Sequence, residues 1–129
     1  MDARTAQYLS DFIKHDSDIL DELRKENRSR NDIQPMVEIE VGKLLVFLIK
    51  LTKAKKVLEL GTSNGYSAIW MAKALEDTGG TITTIDNHER ISAEAVKNFE
   101  KASARNISFI KGKVEEILPE LISKFRSEE

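Results

Sequence analysis

The stretch Val57-Leu58-Glu59-Leu60-Gly61-Thr62-Ser63-Asn64-Gly65-Tyr66-Ser67 leaves this chain few folds to choose from. A short apolar run stops at a glycine, three polar residues lead to a second glycine, and a helical apolar pattern opens at once. A buried strand from Val57 to Leu60 that turns directly into a helix over Asn64 to Leu75 reads as the opening unit of a parallel sheet, because parallel neighbours are joined by a crossover and not by a tight hairpin. The alternation then repeats. Gly79 and Gly80 turn into a strand from Thr81 to Asp86, a helix follows with Ile91, Ala95, Phe99 and Ala102 on its inner side, and Ile107 to Ile110 reads as a third strand. The last element spaces Val114, Ile117, Leu118, Leu121, Ile122 and Phe125 as a helix, with Pro119 setting its start near that residue. Right-handed crossovers between successive strands make this an α/β architecture.

The turn after the first strand is where sheets of this kind bind nucleotide-like ligands. Glycines let the backbone approach a ligand closely, and the helix N-terminus offers free N–H groups and a positive dipole to an anionic group. The spacing is Gly-x-x-x-Gly with Ser63 in the middle, which is not the dinucleotide fingerprint and disfavours NAD. A carboxylate fits it better than a pyrophosphate. Asp86 closes the second strand, where its carboxylate can accept hydrogen bonds from ribose hydroxyls.

With these residues in view, the sequence resembles the metal-dependent O-methyltransferases related to catechol and caffeoyl-coenzyme A O-methyltransferases. The likeness runs from about Met36 through residues 57–67, Thr84-Ile85-Asp86, the helix from Phe99 to Ala104, and Gly112 to Leu121. It implies a class I methyltransferase, Rossmann-like parallel sheet, here cut to three strands in the order 3-2-1 with extra N-terminal helices, and S-adenosylmethionine as cofactor. By the same resemblance Met36 and Val37 lie against the cofactor at the pocket mouth, and Glu59 joins the hydrogen-bond network beneath the loop. Gly61 lines the cofactor, Tyr66 and Ser67 hold its methionine end, Asp86 takes the ribose, and Asn87 and His88 flank the adenine. Val114 and Glu115 close over the adenine edge, although Lys113 departs from the Asp or Ala of many relatives. Each position also has a plainer reading. The glycines can simply permit a turn, Tyr66 and Trp70 can be helix core, Ser67 a solvated hydroxyl, Met36 packing, and His88 a surface histidine. Glu59 inside an apolar strand is harder to explain so, since a buried carboxylate needs partners. His15 reads as structural or exposed.

Upstream, apolar residues from Tyr8 through Phe12 and Ile13 to Leu23 recur at helical spacing, residues 24 to 35 read as a polar connector ended by Pro35, which biases Gln34 away from helix, and Val41, Leu44, Leu45, Leu48 and Leu51 mark one face of a further helix. Residues 1–35 are thus expected to be a helix and connector, and residues 36–129 a partial cofactor-binding domain. The 33% charged composition and the formal net charge of −2 give no overall field for nucleic acid or anionic lipid, and Lys50, Lys53, Lys55 and Lys56 read as a solvated helix end. No apolar run is long enough to span a bilayer and no signal core is apparent, so a cytoplasmic protein without membrane association is the expectation. With no cysteine, disulfides and thiolate chemistry are excluded.

The resemblance also implies a divalent cation, usually Mg²⁺, bound by residues that follow a fourth strand. That strand is expected beyond Glu129. No cluster of Asp, Asn or His at hard-metal spacing replaces those ligands, so neither a catalytic nor a metal-binding residue is assigned. A homo-oligomer, or a partner supplying the missing half, is expected to complete the sheet. Two functions compete: an S-adenosylmethionine-dependent O-methyltransferase acting on a small hydroxylated acceptor, and a non-catalytic binding or assembly module that keeps the fold without the reaction.

Overall fold

The computed structural model describes residues 1–12, 17–33 and 36–128, with the backbone alone for 10–12. Its elements are α1 (Ala3–Phe12), α2 (Asp18–Arg28), α3 (Ile39–Thr52), β1 (Lys56–Leu60), α4 (Tyr66–Thr78), β2 (Thr81–Asp86), α5 (Glu89–Lys101), β3 (Ile107–Lys111) and α6 (Val114–Ser127). The three strands pair in parallel in the order β1-β2-β3, which is 3-2-1 read from the other edge. Leu58 lies opposite Thr83, which lies opposite Ser108, and this fixes which residues share a face. Val57, Glu59, Ile82, Thr84, Ile107 and Phe109 therefore project to one side, and Leu58, Leu60, Thr83, Ile85 and Ile110 to the other.

The first side carries the core. Helix α4 is its centre, burying Tyr66, Ala68, Ile69, Trp70, Ala72, Ala74 and Leu75 against Ile82 and, from α5, Ala95 and Phe99. Leu20 and Leu23 of α2 and Ile39 and Ile49 of α3 are buried in the same cluster. Both crossovers leave β1 and β2 in the same direction and are right-handed, so α4 and α5 share this face while α6 crosses to the other. There cover is thinner: α6 buries no residue fully, and Leu58 and Leu60 remain 38% and 52% exposed.

Several boundaries differ from the sequence expectation. The N-terminal helix read through Phe12 and Ile13 to Leu23 is two helices, α1 and α2, while Ile13 and His15 lie outside the described residues, as do Gln34 and Pro35. Helix α2 also runs on to Arg28, into the segment read as connector. Its charges explain this: Asp18 and Asp21 sit in the first turn, Lys25 and Arg28 in the last, each complementing the helix dipole. Helix α4 starts at Tyr66 and not at Asn64, since Gly65 at φ +91° is a left-handed cap that cannot continue a helix. Helix α6 starts at Val114 and takes Pro119 into its interior. The proline forfeits one N–H bond, while the turn before it supplies the acidic residues Glu115 and Glu116 at the positive end of the dipole.

Candidate functional site

At the C-terminal ends of β1 and β2 the backbone and side chains form one interlocked unit. Asp86, the last residue of β2, points its carboxylate back at the loop after β1. Oδ2 accepts from the backbone N–H groups of Thr62 and Ser63, both at 2.9 Å, and Oδ1 accepts from the N–H of His88 at 2.9 Å. Three N–H donors on one carboxylate hold the loop in a fixed curve, and Ser63 completes it with a left-handed φ of 49°. Of the roughly four acceptor sites of a carboxylate, one is left on Oδ1.

Beneath the loop a second carboxylate is half-buried. Glu59 accepts from Ser67 Oγ on Oε2 and from Thr84 Oγ1 on Oε1, each at 2.6 Å. Thr84 has a single hydroxyl hydrogen, so the 2.7 Å contact between Thr62 Oγ1 and Thr84 Oγ1 must be donated by Thr62. The relay Thr62 to Thr84 to Glu59, met from the other side by Ser67, ties loop, both strands and the first turn of α4 into one network. Burial pushes the Glu59 carboxyl above its ordinary range, with the charge of Asp86 adding to the shift and the Ser67 and Thr84 hydroxyls opposing it.

A third set of polar contacts joins the helices around the loop. Asn64, 1% exposed, donates through Nδ2 to Asn27 Oδ1 at 2.6 Å, and its carbonyl accepts from Asn98 Nδ2 at 2.8 Å. Its Oδ1 has no partner among the described residues. Asn27 in turn donates to the Met36 sulfur at 2.6 Å. One asparagine from α2, one from the loop and one from α5 thus fasten the loop's far end.

Above this base opens a cleft of about 560 Å³. Of the residues singled out in the sequence, it brings together Met36, Val37, Gly61, Tyr66, Ser67, Asp86, Asn87 and His88. Glu59 lies below the floor, and Val114 and Glu115 line a smaller hollow that shares Gly61, Asp86 and Asn87 with the main cleft. Gly61, at φ +92°, has nothing within 4 Å of where a Cβ would stand, so this stretch of backbone is open to a ligand. His88 turns out to be the N-cap of α5, its Nδ1 accepting from Ile91 N–H at 3.3 Å. Tyr66 is 1% exposed and stacks edge-on to Trp70 at 6.4 Å, so it is at once core and cleft floor.

The sequence reading missed Thr62, Ser63, Asn64 and Ile91, and a wall made of Asn31, Asp32 and Ile33. The first three were within reach of inference, being the polar residues between the two glycines. The wall was not, since only tertiary packing brings the end of α2 against α5. Among the described residues no group of three or more His, Cys, Asp or Glu could hold a metal ion.

A family model described as O-methyltransferase matches residues 10–129. The chain belongs to this family. Among O-methyltransferases of known sequence, it is 36% identical over 120 residues to a catechol O-methyltransferase of Niastella koreensis, an alignment covering 91% of this chain and 53% of that protein. Among solved structures, an O-methyltransferase from Bacillus cereus in complex with SAH superposes with a TM-score of 0.79 at 30% identity, covering 91% of this chain and 53% of that one. One from Streptomyces achromogenes involved in tomaymycin synthesis, in complex with SAM, gives a TM-score of 0.75 at 29% identity, covering 88% and 51%. The chain thus spans about half the length of these O-methyltransferases.

Proposed function

We propose that this chain binds S-adenosylmethionine in the cleft above Asp86 and is the cofactor-binding part of an enzyme that methylates the hydroxyl group of a small acceptor. The observation that carries the reading is Asp86 itself, a β2 carboxylate pinned to the glycine loop with one acceptor site still facing a cleft of about 560 Å³. In this proposal that oxygen takes a ribose hydroxyl, and the exposed backbone at Gly61 and the first turn of α4, with Ser67, face the methionine end. Met36 and Val37 cover the mouth, while Asn87, His88, Val114 and Glu115 border the adenine. SAM and SAH in the solved relatives support the cofactor. In this reading residues 36–129 are the binding part, with α2 packed into the same core through Leu20 and Leu23 and residues 31–33 lining the cleft. A cytoplasmic setting is part of the proposal; among the described residues, no helix is long and apolar enough to cross a membrane.

In the reaction so proposed, an acceptor oxygen attacks the sulfonium methyl carbon, the C–O bond forming as the C–S bond breaks and the thioether leaves, and the hydroxyl proton must pass to a base. Among the described residues, no group of three or more His, Cys, Asp or Glu could hold the divalent cation that the likeness to catechol O-methyltransferases implies. Asp86 is already committed to three N–H donors. A second reading is a binding or assembly module that keeps the fold without the reaction.

Calorimetry with S-adenosylmethionine and SAH tests the cofactor. Binding is expected, weakened at least tenfold by Asp86→Ala, and no heat at millimolar ligand from a folded sample would overturn the reading. On the same sample, radiolabelled methyl transfer to catechol with Mg²⁺ separates enzyme from module. We expect none above background from this chain by itself; chelator-sensitive transfer would overturn that expectation.

A further inference from the structure

Arg30 stands where α2 has ended and the cleft wall of Asn31, Asp32 and Ile33 begins. Its side chain is only 16% exposed and grips two carboxylates at once. Nε and Nη2 donate to the two oxygens of Asp32 at 2.8 and 2.9 Å, while Nη1 and Nη2 donate to those of Glu94 at 2.6 and 3.3 Å. Arg90, one turn before Glu94 on α5, closes the ring, with Nη2 2.9 Å from Asp32 and Nη1 3.6 Å from Glu94. Charges alternate around this ring and cancel. Paired, partly buried forks of this kind are the form in which ion pairs contribute most, unlike isolated surface pairs. The paired charges hold Arg30 and Asp32 in their ionised forms, Arg30 raised and Asp32 lowered from their ordinary ranges.

The ring lies across the rim of the cleft. Asp32 lines the cleft from one side, and Ile91, between Arg90 and Glu94, lines it from the other. Among the described residues, no backbone hydrogen bond outside helices and strands involves Asn31, Asp32 or Ile33. The wall they form is therefore tied down by side chains.

We propose that Arg30 is a positioning residue: by clamping the 31–33 wall to α5 it sets the width of the cofactor cleft and slows escape of the bound cofactor. The proposal rests on the cofactor reading above and deepens it. Lysine cannot replace Arg30, because a single ammonium cannot present two forks to two carboxylates in one plane.

Two measurements test it. Without ligand, ¹⁵N relaxation on Arg30→Ala should show order parameters of Asn31, Asp32 and Ile33 falling from about 0.85 to below about 0.6, with β2 and α4 unchanged. With ligand, Arg30→Ala, Arg30→Lys and Glu94→Ala should each weaken SAH about tenfold, about 1.4 kcal/mol, through faster dissociation. The Arg30→Ala/Glu94→Ala double variant should lose no more than the worse single one, since both break the same clamp. Lys25→Ala, which removes an exposed pair with Asp21 at 2.7 Å, is the control and should change neither readout. Unchanged order parameters, a mobile wall with unchanged affinity, or additive losses would each overturn the proposal. If the unaltered chain binds no SAH, the cofactor reading fails by itself, and the order parameters still decide whether Arg30 clamps the wall.

Discussion

Gly61 and Gly65 adopt nearly the same backbone angle, φ +92° and +91°, for different reasons. A Cβ on Gly65 would stand 2.6 Å from Phe99 Cε1, inside the core, whereas one on Gly61 would meet nothing within 4 Å. Gly65→Ala should therefore destabilise the fold by about 2 to 4 kcal/mol, strain and displaced core together, visible as a drop in melting temperature. Gly61→Ala should cost only about 1 to 2 kcal/mol of strain and show its main effect as weakened SAH binding. Equal losses of stability in the two variants would refute this division. Glu59 makes a prediction in pH. Its carboxyl pKa is raised above the ordinary 4.5 by burial. The folded chain thus holds this proton more tightly than the unfolded chain, so the contribution to stability is complete below 4.5 and is lost as pH rises through the raised value. Glu59→Gln, which mimics the protonated form, should gain stability relative to the unaltered chain as denaturation is followed from about pH 4 to about pH 8. A difference that stays flat over that range would mean that the Ser67 and Thr84 hydrogen bonds fully offset desolvation.

At the scale of elements, two are left with unmet apolar surface among the described residues. Helix α3 exposes Leu44 at 53%, Phe47 at 58%, Leu48 at 43% and Leu51 at 65%, which at spacings of three, four and seven form one stripe. Strand β1 stands at the edge of the sheet beside it in sequence, with Leu60 at 52% exposure and its free edge unpaired in this sheet. Edges and stripes of this kind drive association unless charged or covered, and Lys56 protects only the start of β1. Light scattering at tens of micromolar should therefore give a mass well above the 14.6 kDa of one chain, and Phe47→Glu with Leu51→Glu should lower it. A monomer before any substitution would show that both surfaces are satisfied within the chain. The side chain of Phe12, also expected to join this contact, lies outside the described residues.

For the molecule as a whole, the sheet and the cleft are built to different degrees of completeness. Among the described residues, one face of the sheet is packed around α4 while the other is covered only by α6, and no group of three or more His, Cys, Asp or Glu could hold a metal ion. The relatives it matches are about twice as long. What the described residues hold is the β1–loop–α4–β2 unit with an acidic residue at the end of β2, the place where sheets of this kind bind nucleotide-like ligands. Under the reading proposed above, cofactor binding is the part of the reaction that these residues serve most directly.

The strands, their parallel pairing and the glycine loop with Asp86 were legible in the residues because each rests on local periodicity or on fixed spacing along a crossover. Two-residue alternation, glycine punctuation and a terminal carboxylate need no distant partner to be recognised. What sequence alone did not disclose depends on contacts between remote segments. At Gly65, whose left-handed turn moves the start of α4, the core residue Phe99 leaves no room for a Cβ. The relay from Thr62 through Thr84 to Glu59 needs the β1–β2 register, and the Arg30 clamp joins residues 64 positions apart. Spacing can place a residue on a strand or helix. Only packing decides which charge meets which, because that choice is made by burial and by the geometry in which most buried donors find acceptors.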